Sequence, residues 1–358
     1  MPVEEARARV LDGVAPLSAE IVAVAEAHGR ILAESLAARR TQPPAAVSAM
    51  DGYAARAADV ASVPVALKLI GESAAGSVFP GEVSAGACVR ILTGGVLPAG
   101  ADTIVIQENV RREGNAVIVQ QGAPPGRFVR AAGLDFKEGD ARLERGRLLT
   151  VRDVALAAAM NHAVLPVYRR PRVAIFSTGD ELRAAGSELG AGQVISTNGV
   201  ALAAMARAEG ALPLDFGIVP DRLEDTVAAI RRVRAWGADV LVTSGGASVG
   251  DHDLVQPALA AEGLSLAFWR IAMRPGKPLM FGNLGATRVL GMPGNPVSTY
   301  VCALLFLIPL IRLQCGRSDT GLPVETARLG RDLPANDERE EYLRSRVESV
   351  RGEAVARP

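Results

Sequence analysis

The sequence predicts a multi-domain α/β protein whose central domain is doubly wound, an α/β/α sandwich. Three short apolar runs, at 172–177, 238–243 and 287–291, are each followed at once by Gly, Ser, Pro or acidic residues. Continuous apolar runs are typical of strands buried on both faces of a parallel sheet. Helical patterns at 199–208 and 222–236 separate the runs. Because strand and helix alternate, residues 171–316 are predicted to form one such domain.

Capping signals support two of the predicted helices. Asp221 and Glu224 have capping-box spacing at the start of the second pattern, and Thr150 and Asp153 have it before a helix predicted to reach residue 163. Residues 3–14 and 18–27 also have helical periodicity. The apolar run 301–311 is too short to cross a bilayer, so a buried helix is expected there.

The stretch 64–127 has a different texture. Short β-rich runs at 65–70, 88–92, 103–107 and 116–120 are separated by Gly and Pro, and Gly114-Asn115 predicts a hairpin turn. A β-rich domain at 51–127, inserted into a helical linker domain formed by 1–50 and 128–170, is therefore expected.

Composition excludes several classes of function. The 358 residues contain 39 Lys and Arg against 39 Asp and Glu, so no basic field favours nucleic acid. Three scattered cysteines and three scattered histidines lack the spacing of a disulfide framework or a zinc site, and the cysteine usage suits a reducing cytoplasm. The charged N-terminus does not resemble a signal peptide, so neither export nor a membrane is expected.

Two glycine-rich loops carry the functional signal. SGGASVG at 244–250 leads to Asp251 and Asp253, and RPGKP spans 274–278. Glycine loops let backbone amides approach an anion, while Lys277 and nearby carboxylates can complete a site for a phosphorylated ligand with a divalent metal. In doubly wound sheets, ligands bind outside the carboxyl ends of the strands, which is where these loops are predicted.

Six motifs in order identify a family. They are SAMDGYA at 48–54, RILTGG at 90–95 with PAGAD at 98–102, STGDEL at 177–182, SGGASVG at 244–250, RPGKP at 274–278 and GMPGNPVS at 291–298. The chain resembles the molybdopterin molybdenumtransferases, which are related to the gephyrin E domain. The resemblance implies insertion of molybdate into adenylylated molybdopterin, with Mg²⁺-dependent release of AMP. It also implies a homodimer whose active site draws on both subunits. A molybdopterin adenylyltransferase and molybdoenzyme-maturation proteins are candidate partners.

The resemblance also assigns residues. Molybdate is expected near Arg274, Lys277 and Ser298, with Arg344 as a further anion-binding residue. Substrate is expected on the glycine loop and the loop after the last parallel strand, through Ser244, Gly245, Gly246, Ser248, Gly250, Pro293 and Pro296. The expected catalytic residues are Asp51, Thr93, Asp135, Glu181, Asp221 and Asp253, of which Glu181 and Asp253 are the expected Mg²⁺ ligands.

Two departures from the family pattern stand out. The family commonly has Lys where this chain has Arg274, which keeps the charge but replaces a compact ammonium by a planar fork. Residues 317–358 are expected to be an incomplete C-terminal β-domain, because little follows EYLR at 341–344. Impaired molybdate insertion is the resulting hypothesis, and cofactor formation at a normal rate would contradict it.

Each signal has another interpretation when taken singly. An acid after a strand, such as Glu181, can be a turn or cap residue, and Asp51-Gly52 can be a tight turn. Lys277 can be a solvated loop cation. For the whole chain, the alternatives are a molybdopterin adenylyltransferase, which shares the α/β domain, and a non-catalytic gephyrin-like scaffold.

Overall fold

A computed structural model describes residues 1–245 and 254–358. Its centre is a six-stranded sheet of mixed direction. In spatial order the strands are Leu212–Val219, Arg172–Thr178, Val240–Ser244, Thr287–Met292, Met280–Leu284 and Ser265–Trp269. The first four are parallel, and the last two continue the sheet through antiparallel pairing. The three predicted parallel strands are confirmed as neighbours.

Helices cover both faces of this sheet, as a doubly wound fold requires. The helices are Val3–Leu11, Asn198–Ala208, Leu223–Trp236, Val255–Ala261, Pro296–Cys302 and Ile308–Gln314. Leu202 and Phe306 lie in the apolar core on one face, whereas Ile230 and Leu259 lie in the core on the other. The N-terminal helix also buries Val3 in the first core, so it packs on the central domain.

The predicted buried helix at 301–311 is part of a longer one. A π-helical segment, Ala303–Leu307, joins Pro296–Cys302 to Ile308–Gln314. Among the described residues, this stretch is the one helix long and apolar enough to cross a membrane, and 56% of its most apolar window is buried within the protein. The length argument made from the sequence is therefore wrong, but the helix packs in the core of the α/β domain as expected.

The linker region contains more strand than its sequence pattern predicts. Residues 18–27 form the strand Ala19–Ala23 and a 3-10 turn, Val24–Glu26, so the predicted helix there is wrong. The reason is tertiary, because the strand pairs antiparallel with Val164–Tyr168 along its whole length. Leu36–Ala37 pairs with Ala141–Leu143.

Helix capping follows the sequence at one predicted site and not at the other. Val151–Ala159 begins with the predicted capping box of Thr150 and Asp153. Leu223–Trp236 begins instead after Arg222, without a side-chain cap, so the capping box expected from Asp221 and Glu224 is wrong. Asp221 lies beside Asp180, where each carboxylate accepts the other's backbone amide, at 3.2 and 3.3 Å.

The inserted region forms its own six-stranded sheet. In spatial order its strands are Thr103–Ile106, Gly52–Ala55, Ala87–Ile91, Val65–Ser73, Ala116–Val119 and Val110–Glu113. The last two form an antiparallel pair in which Glu113 faces Ala116, which confirms the Gly114-Asn115 hairpin. The short pair Val47–Ser48 and Val129–Arg130 lies where the chain enters and leaves this region.

The C-terminal segment is β-rich and returns to the central domain. Arg328–Leu329, Glu353–Arg357 and Arg346–Val350 form a three-stranded sheet. Glu340–Glu341 pairs in parallel with Met273–Arg274, which places acidic residues beside the predicted anion-binding loop. The limits drawn for the four domains stay predictions.

Candidate functional site

The predicted residues of the α/β domain converge on one edge of the central sheet. Parallel strands end there at Val219, Thr178, Ser244 and Met292. Met280 starts an antiparallel strand opposite Gly291 and Trp269, so the loop that contains Arg274 and Lys277 lies at the same edge. We call this the carboxyl edge, and we call residues 274–278 the cationic loop. Asp221 follows the outer strand Leu212–Val219, and Glu181 follows its neighbour Arg172–Thr178. The cationic loop lies toward the other end of the edge.

A cavity of about 300 Å³ opens between the loops of this edge. We call it the edge cavity; it is lined by Ser177, Thr178, Glu181, Leu182, Val194, Ile195, Ser196, Thr197, Asn198, Ser244, Gly245, Gly294 and Pro296. Four predicted site residues, Glu181, Ser244, Gly245 and Pro296, are thereby brought together. A concave site with a few convergent polar groups is the usual form of a small-molecule pocket.

Asn198 is a site residue that sequence reasoning missed. Its side-chain amide donates to the Ser244 hydroxyl at 2.7 Å and to the Gly294 carbonyl at 2.8 Å. It therefore joins the loops that follow two neighbouring strands. The available signal was a polar residue immediately before the predicted helix, at the position where caps are common.

Glycine at 245 is required by a close backbone approach. Its φ is +89°, and a Cβ there would lie 2.5 Å from the Thr178 carbonyl oxygen. Its amide donates to the Met292 carbonyl at 3.2 Å, which fixes the start of the glycine loop against the next strand. The predicted residues Gly246, Ser248, Gly250 and Asp253 lie outside the described residues.

The helix Pro296–Cys302 connects the edge cavity to the cationic loop. Asn295 caps this helix by accepting from the Val297 and Ser298 amides, and Pro296 occupies its first turn. The Pro293 carbonyl accepts the Thr299 hydroxyl at 2.5 Å. These bonds hold the turn in one conformation, with Ser298 largely buried in the first helical turn.

Cys302 packs against the cationic loop from the other end of that helix. Gly276 has φ +111°, and a Cβ there would lie 2.8 Å from the Cys302 sulfur. Burial raises the pKa of the Cys302 thiol to about 12, so it stays protonated and acts as a packing group. Ser298 is four residues before Cys302 and therefore lies on the same helix face, toward the cationic loop.

Arg274 is already paired with acids of the C-terminal segment. Its guanidinium lies 3.1 Å from Asp337 and 3.6 Å from Glu341, and half of the side chain is exposed. Lys277 is exposed and makes no ion pair with any described residue. It lines a second cavity with Met1, Arg270 and Asp337. Arg344 is exposed between two C-terminal strands and does not line the edge cavity.

The remaining predicted residues lie in other parts of the molecule. The Asp51 carboxylate accepts the Thr93 amide and hydroxyl, both at 2.7 Å. These two bonds, with the nearby Arg90 charge, lower the pKa of Asp51. The Asp135 amide donates to the Gln42 carbonyl at 3.0 Å, within the linker region. None of these three residues lines the edge cavity.

The acids allow only an incomplete metal site within the described residues. No group of three or more His, Cys, Asp or Glu side chains is placed there to hold a metal ion. Mg²⁺ usually takes one or two protein carboxylates and completes its shell with water and substrate phosphate. Glu181, whose carboxylate is exposed at the edge cavity, fits this requirement.

Comparison with known proteins gives the same result over nearly the whole chain. The family model described as the MoeA N-terminal region (domain I and II) matches residues 1–161, and that of a probable molybdopterin binding domain matches residues 174–313. The molybdopterin molybdenumtransferase of Nostoc sp. is 39% identical over 341 residues, which are 93% of this chain and 78% of the relative. The corresponding protein of Haemophilus influenzae is 35% identical over 313 residues, 87% and 77% of the two chains.

A solved structure agrees with these sequence relatives. The molybdopterin biosynthesis MoeA protein from Pyrococcus horikoshii superimposes with a TM-score of 0.84 at 30% identity. The match covers 99% of this chain and 89% of that one.

Proposed function

Since this chain belongs to the molybdopterin molybdenumtransferase family, we propose that it inserts molybdate into adenylylated molybdopterin and releases AMP. Its place among the enzymes of molybdenum-cofactor biosynthesis follows from the family. We further propose that these two compounds are its substrates, that the reaction needs Mg²⁺, and that the chain acts as a cytoplasmic homodimer.

The single observation that carries the proposal is the convergence of a polar cavity and two cations on one sheet edge. Gly245 brings backbone into the cavity, and Arg274 and Lys277 lie in the loop that packs on Cys302. The substrate has a pyrophosphate link and molybdate is a compact dianion, so the site must accommodate several negative charges. Backbone amides and cations stabilise such charges at close range.

We assign the two substrates to two different groups of residues. Ser244 and Gly245 would bind the phosphate-bearing part of the pterin substrate in the edge cavity. Lys277, Arg274 and the Ser298 hydroxyl would bind molybdate at the neighbouring loop, with Arg344 contributing from the C-terminal segment. Asn198 orients both loops of the cavity through its two hydrogen bonds, so that they are formed before the substrate binds.

Carboxylates would repel these anions unless a cation lay between them. Glu181 and Asp253 are the proposed Mg²⁺ ligands, and Asp253 belongs to the segment outside the described residues. Bound Mg²⁺ would neutralise phosphate charge and polarise the phosphoanhydride. Asp180 and Asp221 hold each other's loops by their reciprocal hydrogen bonds, which keeps Glu181 at the cavity.

A second copy of the chain would complete the site. Asp51, Thr93 and Asp135 match active-site residues of the family but lie away from the edge cavity of their own chain. The resemblance implies a homodimer with an active site shared between subunits. We therefore assign these three residues to the site of the partner.

The two alternatives are less well supported. A molybdopterin adenylyltransferase would share the α/β domain, but the family match over residues 1–161 favours the insertion enzyme. A gephyrin-like scaffold needs a partner-binding groove, for which we find no support in the described residues. Protein partners such as an adenylyltransferase or molybdoenzyme-maturation proteins belong to the proposal only through the family.

The deciding experiment measures AMP release from adenylylated molybdopterin by the purified chain. We expect release only when molybdate and Mg²⁺ are both present, with formation of molybdenum cofactor. Incubation with ATP and molybdopterin is the matched control. Adenylylated product in that control, without molybdate-dependent AMP release, would favour the adenylyltransferase.

A further inference from the structure

A larger cavity lies between the linker region and the α/β domain, and no predicted site residue lines it. It has a volume of about 560 Å³, within the range of small-molecule pockets. Residues 28, 29, 31 and 148–152 form one wall, and residues 170, 207–210 and 317 form the other. We call it the interdomain cavity. None of the family's motifs contributes a residue to it.

Four arginines line this cavity against a single carboxylate. They are Arg152, Arg170, Arg207 and Arg317, and the acid is Glu209. Glu209 is already shared, because Arg312 lies 2.7 Å and Arg317 3.0 Å from its carboxylate. The acid is therefore neutralised by two cations.

The other three arginines have no ion-pair partner in the described parts of the chain. The side chains of Arg152, Arg170 and Arg207 make no ion pair or hydrogen bond with any residue in the described parts of the chain. The Nε of Arg170 is buried and has no hydrogen-bond partner among the residues that the structure describes. A desolvated donor on a charged group is costly, and a bound anion would offset that cost.

The ends of two helices meet at the cavity, and both are already compensated. The helix Val151–Ala159 begins with the capping box of Thr150 and Asp153, so the Asp153 carboxylate already supplies a negative charge at that end. The helix Asn198–Ala208 presents its opposite end, but the amides of residues 209–211 already bond its last carbonyls. The arginines therefore set the electrostatic preference of the cavity, which is for an anion.

Apolar side chains lie beside the arginines. Ile31 and Leu149 are buried in the wall, whereas Leu148 is 43% and Val151 71% exposed. Large exposed aliphatic groups at a cavity edge would gain from being covered, by about 25 cal/mol per Å² of apolar surface. The ligand should therefore have an apolar body as well as a charge.

We infer that the interdomain cavity binds a small phosphate monoester with an apolar body, with its phosphate on Arg152, Arg170 and Arg207 and its apolar body on Leu148 and Val151. Such a ligand would contact both walls and so hold the linker region against the α/β domain. The site is separate from the edge cavity and is independent of the proposed transferase activity.

Calorimetric titration of the full chain tests this inference with three probes. Phenyl phosphate has both features, inorganic phosphate lacks the ring, and benzyl alcohol lacks the charge. We expect phenyl phosphate to bind at one interdomain site per chain, inorganic phosphate at least about tenfold more weakly, and benzyl alcohol not measurably. Equal affinity for phenyl phosphate and inorganic phosphate would overturn the assignment of the apolar subsite.

Variants locate the binding. Arg152→Gln combined with Arg207→Gln removes two exposed side chains and should weaken phenyl phosphate binding at least about tenfold. Arg331→Gln is the matched control, because Arg331 is exposed elsewhere and has no partner among the described residues. Unchanged affinity in the double variant, or no binding of phenyl phosphate by the wild-type chain, would overturn the inference.

Discussion

The two ends of the carboxyl edge are built in different ways. At the acidic end, Asp180 and Asp221 hold adjacent loops of the α/β domain together by reciprocal bonds to backbone amides. At the cationic end, Arg274 depends on Asp337 and Glu341, which come from the C-terminal segment more than 60 positions later. Lys277, three residues from Arg274, has no ion pair within the described residues.

This difference separates charged side chains that hold the fold together from charged side chains that remain available to bind a ligand. Carboxylates that bond to neighbouring amides are committed to the fold, and so is an arginine that holds a distant segment. An exposed lysine with no described partner, like the exposed Glu181, keeps its charge for a ligand. We expect substitutions of the available charges to reduce catalysis, and substitutions of the committed ones to act on geometry or affinity.

The largest effect is expected for Lys277→Ala. Loss of an oxyanion-binding cation should reduce molybdate-dependent AMP release on the order of 100- to 1,000-fold without changing the melting temperature. Lys137→Ala removes another exposed lysine and is the control. Wild-type turnover in Lys277→Ala would show that this lysine is only a solvated loop cation.

Glu181→Gln should come next. The amide keeps the shape of the side chain but loses the charge that would hold Mg²⁺, so AMP release should fall roughly 100-fold. The concentration of Mg²⁺ needed for half-maximal rate should rise, which a titration of rate against Mg²⁺ measures. A lower rate with an unchanged Mg²⁺ requirement would contradict the assigned role.

Asn198→Ala should have a smaller effect, because Asn198 positions the cavity without carrying charge. Removal of its amide leaves Ser244 and the Gly294 carbonyl without that donor, at a cost of about 1 kcal/mol in unfolding free energy. Turnover should fall about tenfold, with most of the loss in KM for the pterin substrate. Denaturant unfolding and steady-state kinetics check the two parts, and Asn198→Asp should not restore activity because a carboxylate cannot donate to either oxygen.

Glu341→Gln tests whether the C-terminal segment competes with molybdate for Arg274. The acid lies 3.6 Å from the guanidinium on a partly exposed pair, so removing its charge should lower the half-saturating molybdate concentration by about threefold. Glu325→Gln, at an exposed position without a partner among the described residues, is the matched control. A higher molybdate requirement in Glu341→Gln would show that this acid orients Arg274 for binding.

The smallest effect is expected outside the carboxyl edge, on the melting temperature of a variant at the Asp51–Thr93 pair. Bonds from the Thr93 amide and hydroxyl lower the Asp51 pKa below its ordinary value of 3.8, so their contribution to stability is present above that value. It is lost as the pH falls through the lower pKa of the folded protein. Thr93→Val should therefore melt slightly below wild type at pH 6, and the gap should close under strongly acidic conditions. In an Asp51→Asn background no pH-dependent gap should remain.

The α/β domain was predictable because its signals are local. Apolar runs at 172–177 and 287–291 correspond to buried strands, and a parallel strand buried on both faces has little choice of residue. The Gly114-Asn115 hairpin and the Thr150 capping box are likewise short-range chemistry. The strand Ala19–Ala23 was missed because its pairing partner, Val164–Tyr168, lies far away in the sequence.

By itself, the sequence determined the order of motifs, the family and the loops that follow each strand. The tertiary structure decided which residues meet: that Asn198 joins two loops, that Arg274 is paired with Asp337, and that arginines with no ion-pair partner among the described residues face one interdomain cavity. The physical reason is the separation in sequence between the groups that interact. Turns, caps and strand patterns depend on neighbours in the chain, whereas charge pairing and cavities depend on contacts that only folding creates.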